Sequence, residues 1–187
     1  RRQAVEAEGD VLATLHRVAA ILRGETDGTV TLPDGKYMNN MAWDGGFCAI
    51  DVETYGATKK ESGDPRVAEF ILCATAPQDH ISFDKPRIGP NARLLVHNVP
   101  YDGVALGVWD CKWEDTKMLA HMMGEPDTTL KGLAFRYLDH PMLSYDEAVR
   151  LNVLPEYCLA DAQTTWRLYP ILRECMDAGP LNLYDTL

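Results

Sequence analysis

Three features of the chain predict an α/β fold built on a mixed five-stranded sheet flanked by helices. Residues 47–54, Phe-Cys-Ala-Ile-Asp-Val-Glu-Thr, form an apolar run that ends in acids, as a buried strand would. Two further strand-like runs, Val67–Thr75 and His80–Phe83, flank the turn signal Pro77-Gln78-Asp79 and read as a hairpin. After residue 90, strand and helix signals alternate, which is the pattern of parallel strands joined by helices. The front of the sheet is therefore expected to be antiparallel and the remainder parallel.

Taken in order, residues 3–22 carry a loose apolar stripe (Val5, Leu12, Leu15, Val18, Ala19, Leu22) stopped by Gly24, which predicts a helix. Residues 24–46 are rich in turn signals and read as a linker with one short hairpin. Residues 1–46 thus form an N-terminal helix and linker, and the organised domain runs from 47 to 178. Residues 54–66 read as a loop, Arg93–Val96 as the fourth strand and Val108–Trp113 as the fifth. Pro100 opens a short helix through Leu106 that Gly107 ends. Asp115 is placed to cap a helix running to Met123, and Thr128 or Thr129 to cap one running to Leu138. The last helix starts near Pro155 and continues towards Met176 with a break at Pro170; Gly179-Pro180 closes it.

The chain has 187 residues, 46% of them apolar and 25% charged, which suits one domain with a substantial core. No apolar run is long enough for a membrane span and no signal-peptide pattern is present. The opening Arg1-Arg2, without Met, is what a domain excised from a longer chain would show. Five scattered cysteines with no Cys-x-x-Cys pair argue against a disulfide framework and a thiolate zinc site, and for a reducing compartment. Five histidines include no close ligand pair, so a bound metal would be held by oxygen. A net charge of −10 repels nucleic acid at long range unless bound cations or a basic partner offset it.

The acids carry the chemistry. Side chains alternate along a strand, so Asp51 and Glu53 share one face while Val52 takes the other. Two carboxylates side by side at a buried strand end are costly without a cation between them, which a hard divalent ion would supply; a lone Asp-x-Glu more often reads simply as a solvated strand end, so further acids have to decide. Asp102 falls in the first turn of a helix just after a strand, where it could equally serve the helix dipole. Asn98, just before that helix, reads alone as a turn residue. Tyr157 and Asp161 are four apart on the last helix and share a face.

In this order, Asp-x-Glu on a strand, Asp opening a helix, and Tyr-x-x-x-Asp on the last helix, the set resembles the DEDD 3′–5′ exonucleases, in the branch whose third motif carries Tyr. The resemblance implies a ribonuclease H-like sheet and acids converging on two divalent cations, Mg2+ or Mn2+. Asp51, Glu53, Asp102 and Asp161 would be the metal ligands, and Tyr157 would orient the attacking water. Residues 115–119 (Asp-Thr-Lys-Met-Leu), 133–138 (Leu-Ala-Phe-Arg-Tyr-Leu) and 179–184 (Gly-Pro-Leu-Asn-Leu-Tyr) narrow the resemblance to the proofreading domain of family A DNA polymerases. On that reading 47–178 is the exonuclease domain, and 179–187 begins a polymerase domain or is a C-terminal tail.

The implied reaction is in-line attack of water on the last phosphodiester of a single-stranded DNA 3′ end. Thr54 would contact that end, and Asn98 and Tyr101 would line the cleft, where an aromatic ring can stack on a base. At Ala57 the family often has a larger apolar residue that wedges between terminal bases; Tyr55 is the substitute at hand. The expected setting is a monomer attached to a polymerase domain, in the cytoplasm of a bacterium or a phage-infected cell. The alternatives are an RNA-trimming exonuclease of the same fold and a non-catalytic structural module of a polymerase.

Overall fold

The computed structural model describes residues 42–43, 46–55, 64–68, 70–83, 85–176, 180–181 and 184–186. The expected helix over 3–22 and most of the linker lie outside the described residues. In chain order the elements are β1 (Ala42–Trp43), β2 (Gly46–Tyr55), β3 (Phe70–Ala76), β4 (His80–Ser82), β5 (Arg87–Ile88), β6 (Ala92–Val96), α1 (Val99–Leu106), β7 (Lys112–Asp115), α2 (Thr116–Met122), α3 (Leu130–Leu138), α4 (Tyr145–Leu151) and α5 (Leu154–Cys175). Five strands form the main sheet in the order β4-β3-β2-β6-β7. The β4–β3 and β3–β2 pairs are antiparallel, and the β2–β6 and β6–β7 pairs are parallel. The mixed sheet is as expected. β1 and β5 make a separate parallel pair, which the sequence patterns did not suggest.

The period-2 alternation of the strands sorts the core into two layers. Ala49, Leu72, Ala74, Ala76 and Leu95 pack on one face with α5 and its neighbours, where Leu168 and Leu172 are fully buried. Cys48, Ile50, Val52, Ile71, Cys73, Leu94 and Val96 pack on the other, against Ala105 and Leu106 of α1. β2 is the central strand, buried on both faces, which accounts for its unbroken apolar run.

Several boundaries differ from expectation. β3 starts at Phe70 because Val67, 57% exposed, belongs to a turn. The fifth strand is Lys112–Asp115, shifted towards the C-terminus, and Val108 and Trp109 are connection. The Trp109 ring lies against Gly103, where an added Cβ would come within 2.9 Å of it, so an apolar residue outside the strand still finds a packing partner. α5 continues through Pro170. Pro170 is exposed while Leu168, Tyr169 and Leu172 around it are buried, so packing on the sheet holds the helix across the missing hydrogen bond. α4 was not expected at all. Its signal is a capping box in which the Ser144 hydroxyl accepts from the Glu147 N–H, and the Glu147 carboxylate accepts in return from the Ser144 N–H at 2.8 Å.

Asp115 does cap its helix as expected, and it does more. One carboxylate oxygen accepts from the N–H groups of Lys117 (2.8 Å) and Met118 (3.2 Å), and the other accepts from Val99 N–H (2.9 Å) at the start of α1. The Tyr184 hydroxyl meanwhile accepts from Asp115 N–H at 2.7 Å, tying the C-terminal segment to the end of β7. One side chain thus fixes two helix starts. Asp115→Ala is expected to lower stability by about 2–3 kcal/mol, a lost cap plus a stranded buried N–H, measured by urea unfolding; Asp115→Asn is expected to recover only part of it, because its one amide oxygen can accept at only one of the two helix starts.

Candidate active site

The site forms where β2 outruns its parallel neighbour. β6 pairs with Gly46–Ala49 only, whereas β3 accompanies β2 from Ala49 to Tyr55. Past Ala49 the β6 side of β2 is left to the turn at His97-Asn98 and to α1. This is the carboxyl end of the parallel strands, the usual position for ligands in α/β sheets. Asp51 and Glu53 fall on this free stretch. By the alternation that places Ala49 against α5, both project to the α5 face.

Tyr157 and Asp161 come from the first half of α5, which packs closely on the same strand: the Cys158 thiol lies 3.5 Å from the Asp51 carbonyl oxygen. Carboxylate oxygens of Asp51, Glu53 and Asp161 all lie within 4.8 Å of one another. Asp102 enters from α1, 5% exposed, its backbone N–H donating to the Asn98 carbonyl at 3.0 Å. Its charge is felt at both Asp51 and Glu53. Of the residues singled out in the sequence, Asp51, Glu53 and Asp161 come together as one cluster beside Tyr157, while Asp102 lies outside that cluster, near enough to act on it through its charge.

Electrostatics make this cluster unstable on its own. Burial first, then the charges of Asp161, Glu53 and Asp102, push Asp51 well above the usual carboxylate range. Burial, then Asp161 and Asp102, raise Glu53 to about 8, with Lys131 pulling the other way. Burial raises Asp161 to about 6, opposed by Lys131 and by a hydrogen bond from Tyr157. Asp102 is also raised well above the normal range, by burial and then by Asp115. Burial and the surrounding acids push the Tyr157 phenol far up, so it stays protonated. Like charges in one dry pocket cannot all ionise without a compensating cation.

The donor set fits a divalent ion. Asp51 Oδ2 and Asp161 Oδ1 are buried without any hydrogen-bond partner, a condition that metal coordination relieves. The donors are all carboxylate oxygens, with no imidazole among them, which favours Mg2+ or Mn2+ over zinc.

The remaining predicted residues lie on the other side of the strand end. Thr54 alternates to the α1 face, 2% exposed, and its hydroxyl hydrogen-bonds the Tyr101 hydroxyl of α1. Asn98 and Tyr101 line an open cleft of about 420 Å³ together with Pro100, Val104 and Arg66. The Arg66 guanidinium is paired with Asp64 at 2.7 Å. None of the four candidate acids lines this cleft. The Tyr55 side chain and Ala57 lie outside the described residues. His97 is a structural clamp, its ring bonded to the Thr116 hydroxyl (2.8 Å) and the Thr128 carbonyl (3.0 Å) and pushed down to about 4 by burial.

Two side chains at the site had no signal in the sequence. Lys131, in the first turn of α3, donates from Nζ to the Tyr157 hydroxyl at 2.9 Å and sits 5.0 Å above the ring centre. Tyr145 of α4 meets the Tyr157 ring edge-on at 6.4 Å, and its hydroxyl lies 3.4 Å from the Thr54 carbonyl. A lysine on a helix reads as solvated, and Tyr145 lies in a stretch for which no element was expected. The Ser144-x-x-Glu147 box could have revealed the helix that carries Tyr145.

No family model and no curated relative matches the chain. Among solved structures it is similar to a nuclease in its apo form, with a TM-score of 0.59 and 16% identity over 81% of this chain and 87% of that one. It is also similar to Brucella melitensis NrnC. The form bound to pGG gives a TM-score of 0.54 and 17% identity over 81% of this chain and 84% of that one. The form with bound Mg2+ gives 0.52 and 17% over 80% and 86%. The catalytic core of RRP6 from Trypanosoma brucei matches 92% of this chain at a TM-score of 0.50 and 12% identity, this chain spanning about half of its length (47%). What is shared at such identities is the fold, a ribonuclease H-like α/β architecture found in nucleases.

Proposed function

We propose that this chain is a metal-dependent 3′–5′ exonuclease that removes nucleotides one at a time from a nucleic-acid 3′ end. The observation that carries the reading is the convergence of Asp51, Glu53 and Asp161, within 4.8 Å of one another, with two buried carboxylate oxygens left unpartnered. Asp102 supplies a fourth acid from the facing helix. Two bound divalent ions would supply an activated water and charge stabilisation for the leaving 3′-oxygen.

The residues of the chain divide the remaining work. Asp51, Glu53, Asp102 and Asp161 hold the ions. Tyr157, protonated and anchored between Lys131 and the acids, orients the attacking water through its hydroxyl. Thr54 and Tyr101, locked to each other, shape the floor on which the terminal nucleotide rests, and Asn98 lines the adjoining cleft. Tyr157→Phe is expected to reduce turnover by roughly 10²-fold through lost orientation while leaving divalent-ion affinity unchanged, as read by steady-state kinetics beside Mn2+ titration.

The substrate in this reading is single-stranded DNA, with the domain serving as the proofreading part of a family A DNA polymerase. The polymerase-like segments 115–119, 133–138 and 179–184 support it. A second reading, trimming of RNA or of very short oligonucleotides, is favoured by a different observation: a neighbour of the same fold is described bound to pGG. The test is to incubate the protein with Mg2+ or Mn2+ and matched 5′-labelled DNA and RNA strands of several lengths. A ladder shortening from the 3′ end of DNA, and absent in Asp51→Ala, supports the first reading. Preference for RNA or for dinucleotides replaces it with the second. No shortening of any strand removes both.

A further inference from the structure

Lys131 brings a positive charge to Glu53 and Asp161 from outside the predicted set. Lys131 lies just after Thr129, whose hydroxyl caps α3 by accepting from Gly132 N–H at 3.1 Å. That cap fixes the start of the helix and so the direction in which Lys131 leaves it. The side chain is half-buried and crosses to α5, where its ammonium donates to the Tyr157 hydroxyl at 2.9 Å and covers the ring at 5.0 Å. Its positive charge acts on Glu53 and Asp161.

A phenol that accepts a hydrogen bond from an ammonium must aim its own O–H elsewhere. With Lys131 on one side, the free direction for the Tyr157 proton is towards the acids. The Tyr145 ring packs edge-on against the same ring and keeps it from swinging away. A lysine at the edge of a metal cluster would otherwise be a liability, since it repels the very ions the acids hold. Its hydrogen bond to the Tyr157 hydroxyl at 2.9 Å offers a compensating role.

Resting on the nuclease reading above, we propose that Lys131 is a positioning residue: it sets the orientation of the Tyr157 hydroxyl, and so of the attacking water, at a cost in divalent-ion affinity. It touches neither substrate nor scissile bond. Two consequences follow that a merely structural lysine would not share. Its removal lowers turnover only while the Tyr157 hydroxyl is present. Its removal also tightens ion binding.

The experiment compares the wild type with Lys131→Met, Lys131→Arg, Tyr157→Phe and the double variant Lys131→Met/Tyr157→Phe, each checked for folding by thermal melt. On a 5′-labelled oligonucleotide with saturating Mg2+, Lys131→Met is expected to lower kcat by about 10–100-fold with KM within about twofold of wild type. Lys131→Arg is expected to recover a large part of the loss. Adding Lys131→Met to Tyr157→Phe is expected to cost less than about threefold more, because the group it positions is already gone. Independent multiplication of the two losses, or wild-type kcat in Lys131→Met, overturns the proposal.

A calorimetric Mn2+ titration gives a readout that needs no activity: Lys131→Met should bind at least about threefold tighter, the repulsion of a nearby positive charge having been removed. Unchanged or weaker binding overturns the proposal too. Should the wild type degrade no strand while Mn2+ binding tightens in Lys131→Met, the nuclease reading fails and the charge placement of Lys131 stands. Should Lys131→Met fail to fold, the same kinetic and titration comparisons are made with Lys131→Gln, and the same outcomes decide.

Discussion

Asp51→Asn is expected to abolish 3′-end shortening while making the metal-free protein more stable. The two effects have one cause. Asp51 sits on the central strand, where burial and three neighbouring acids raise it far above an ordinary carboxylate. Without a cation its charged form is opposed from every side, so replacing it by a neutral residue of the same shape relieves the folded state. The amide that replaces one oxygen has carboxylates around it to donate to, which keeps the substitution from stranding a donor. The same change removes one of the carboxylates proposed to hold the ions, and activity is expected to fall by roughly 10³-fold or more, the scale seen when one member of a catalytic unit is lost. The melting temperature in chelator should rise by about 2–4 °C for each kcal/mol released. A variant that loses both activity and stability would mean Asp51 is a structural residue.

The second large effect is on the pH dependence of stability. Glu53 is raised from 4.5 to about 8 and Asp161 from 3.8 to about 6. Below the lower value of each pair the group is protonated in both folded and unfolded chains, and nothing is lost. Between the two values the folded chain keeps a proton that the unfolded chain has released, so stability falls as pH rises. Above the upper value the full penalty is present. His97 acts with the opposite sign: lowered from 6.5 to about 4, it adds stability as pH rises through that window and nothing beyond it. Between pH 6.5 and 8, therefore, the fall belongs to the raised acids. In chelator, urea unfolding is expected to show a loss on the order of a few kcal/mol as pH approaches 8, flattened by saturating Mg2+ and by Glu53→Gln. A flat profile in chelator would show that the acids do not interact as the geometry requires.

How much of this was legible depended on how local each signal is. Asp51 and Glu53 could be paired from the sequence because strand alternation is rigid, and Tyr157 with Asp161 because helical spacing is. Gly107 ends α1 with a positive φ of 68°, a conformation a stop signal can announce. Asp115 was readable as a cap for Lys117 and Met118, its neighbours in sequence, but its bond to Val99 crosses sixteen residues and left no local trace. Lys131 is the sharper case. Nothing in its surroundings along the chain distinguishes it from a solvated lysine; only the packing of α3 on α5 brings it to Tyr157. Val67 and Val108 misled for the converse reason: apolar residues in connections imitate strand ends when only the pattern is read. Pro170 misled because a helix-breaking residue is overruled when the turns on both sides of it are buried.

If the proposed function holds, Asp51, Glu53, Asp102 and Asp161 jointly bind divalent cations. The most direct measurement is anomalous diffraction from crystals of the wild-type chain grown with Mn2+. Two strong peaks enclosed by these four carboxylates are expected. Peaks elsewhere, or none at this cluster under saturating Mn2+, would contradict it.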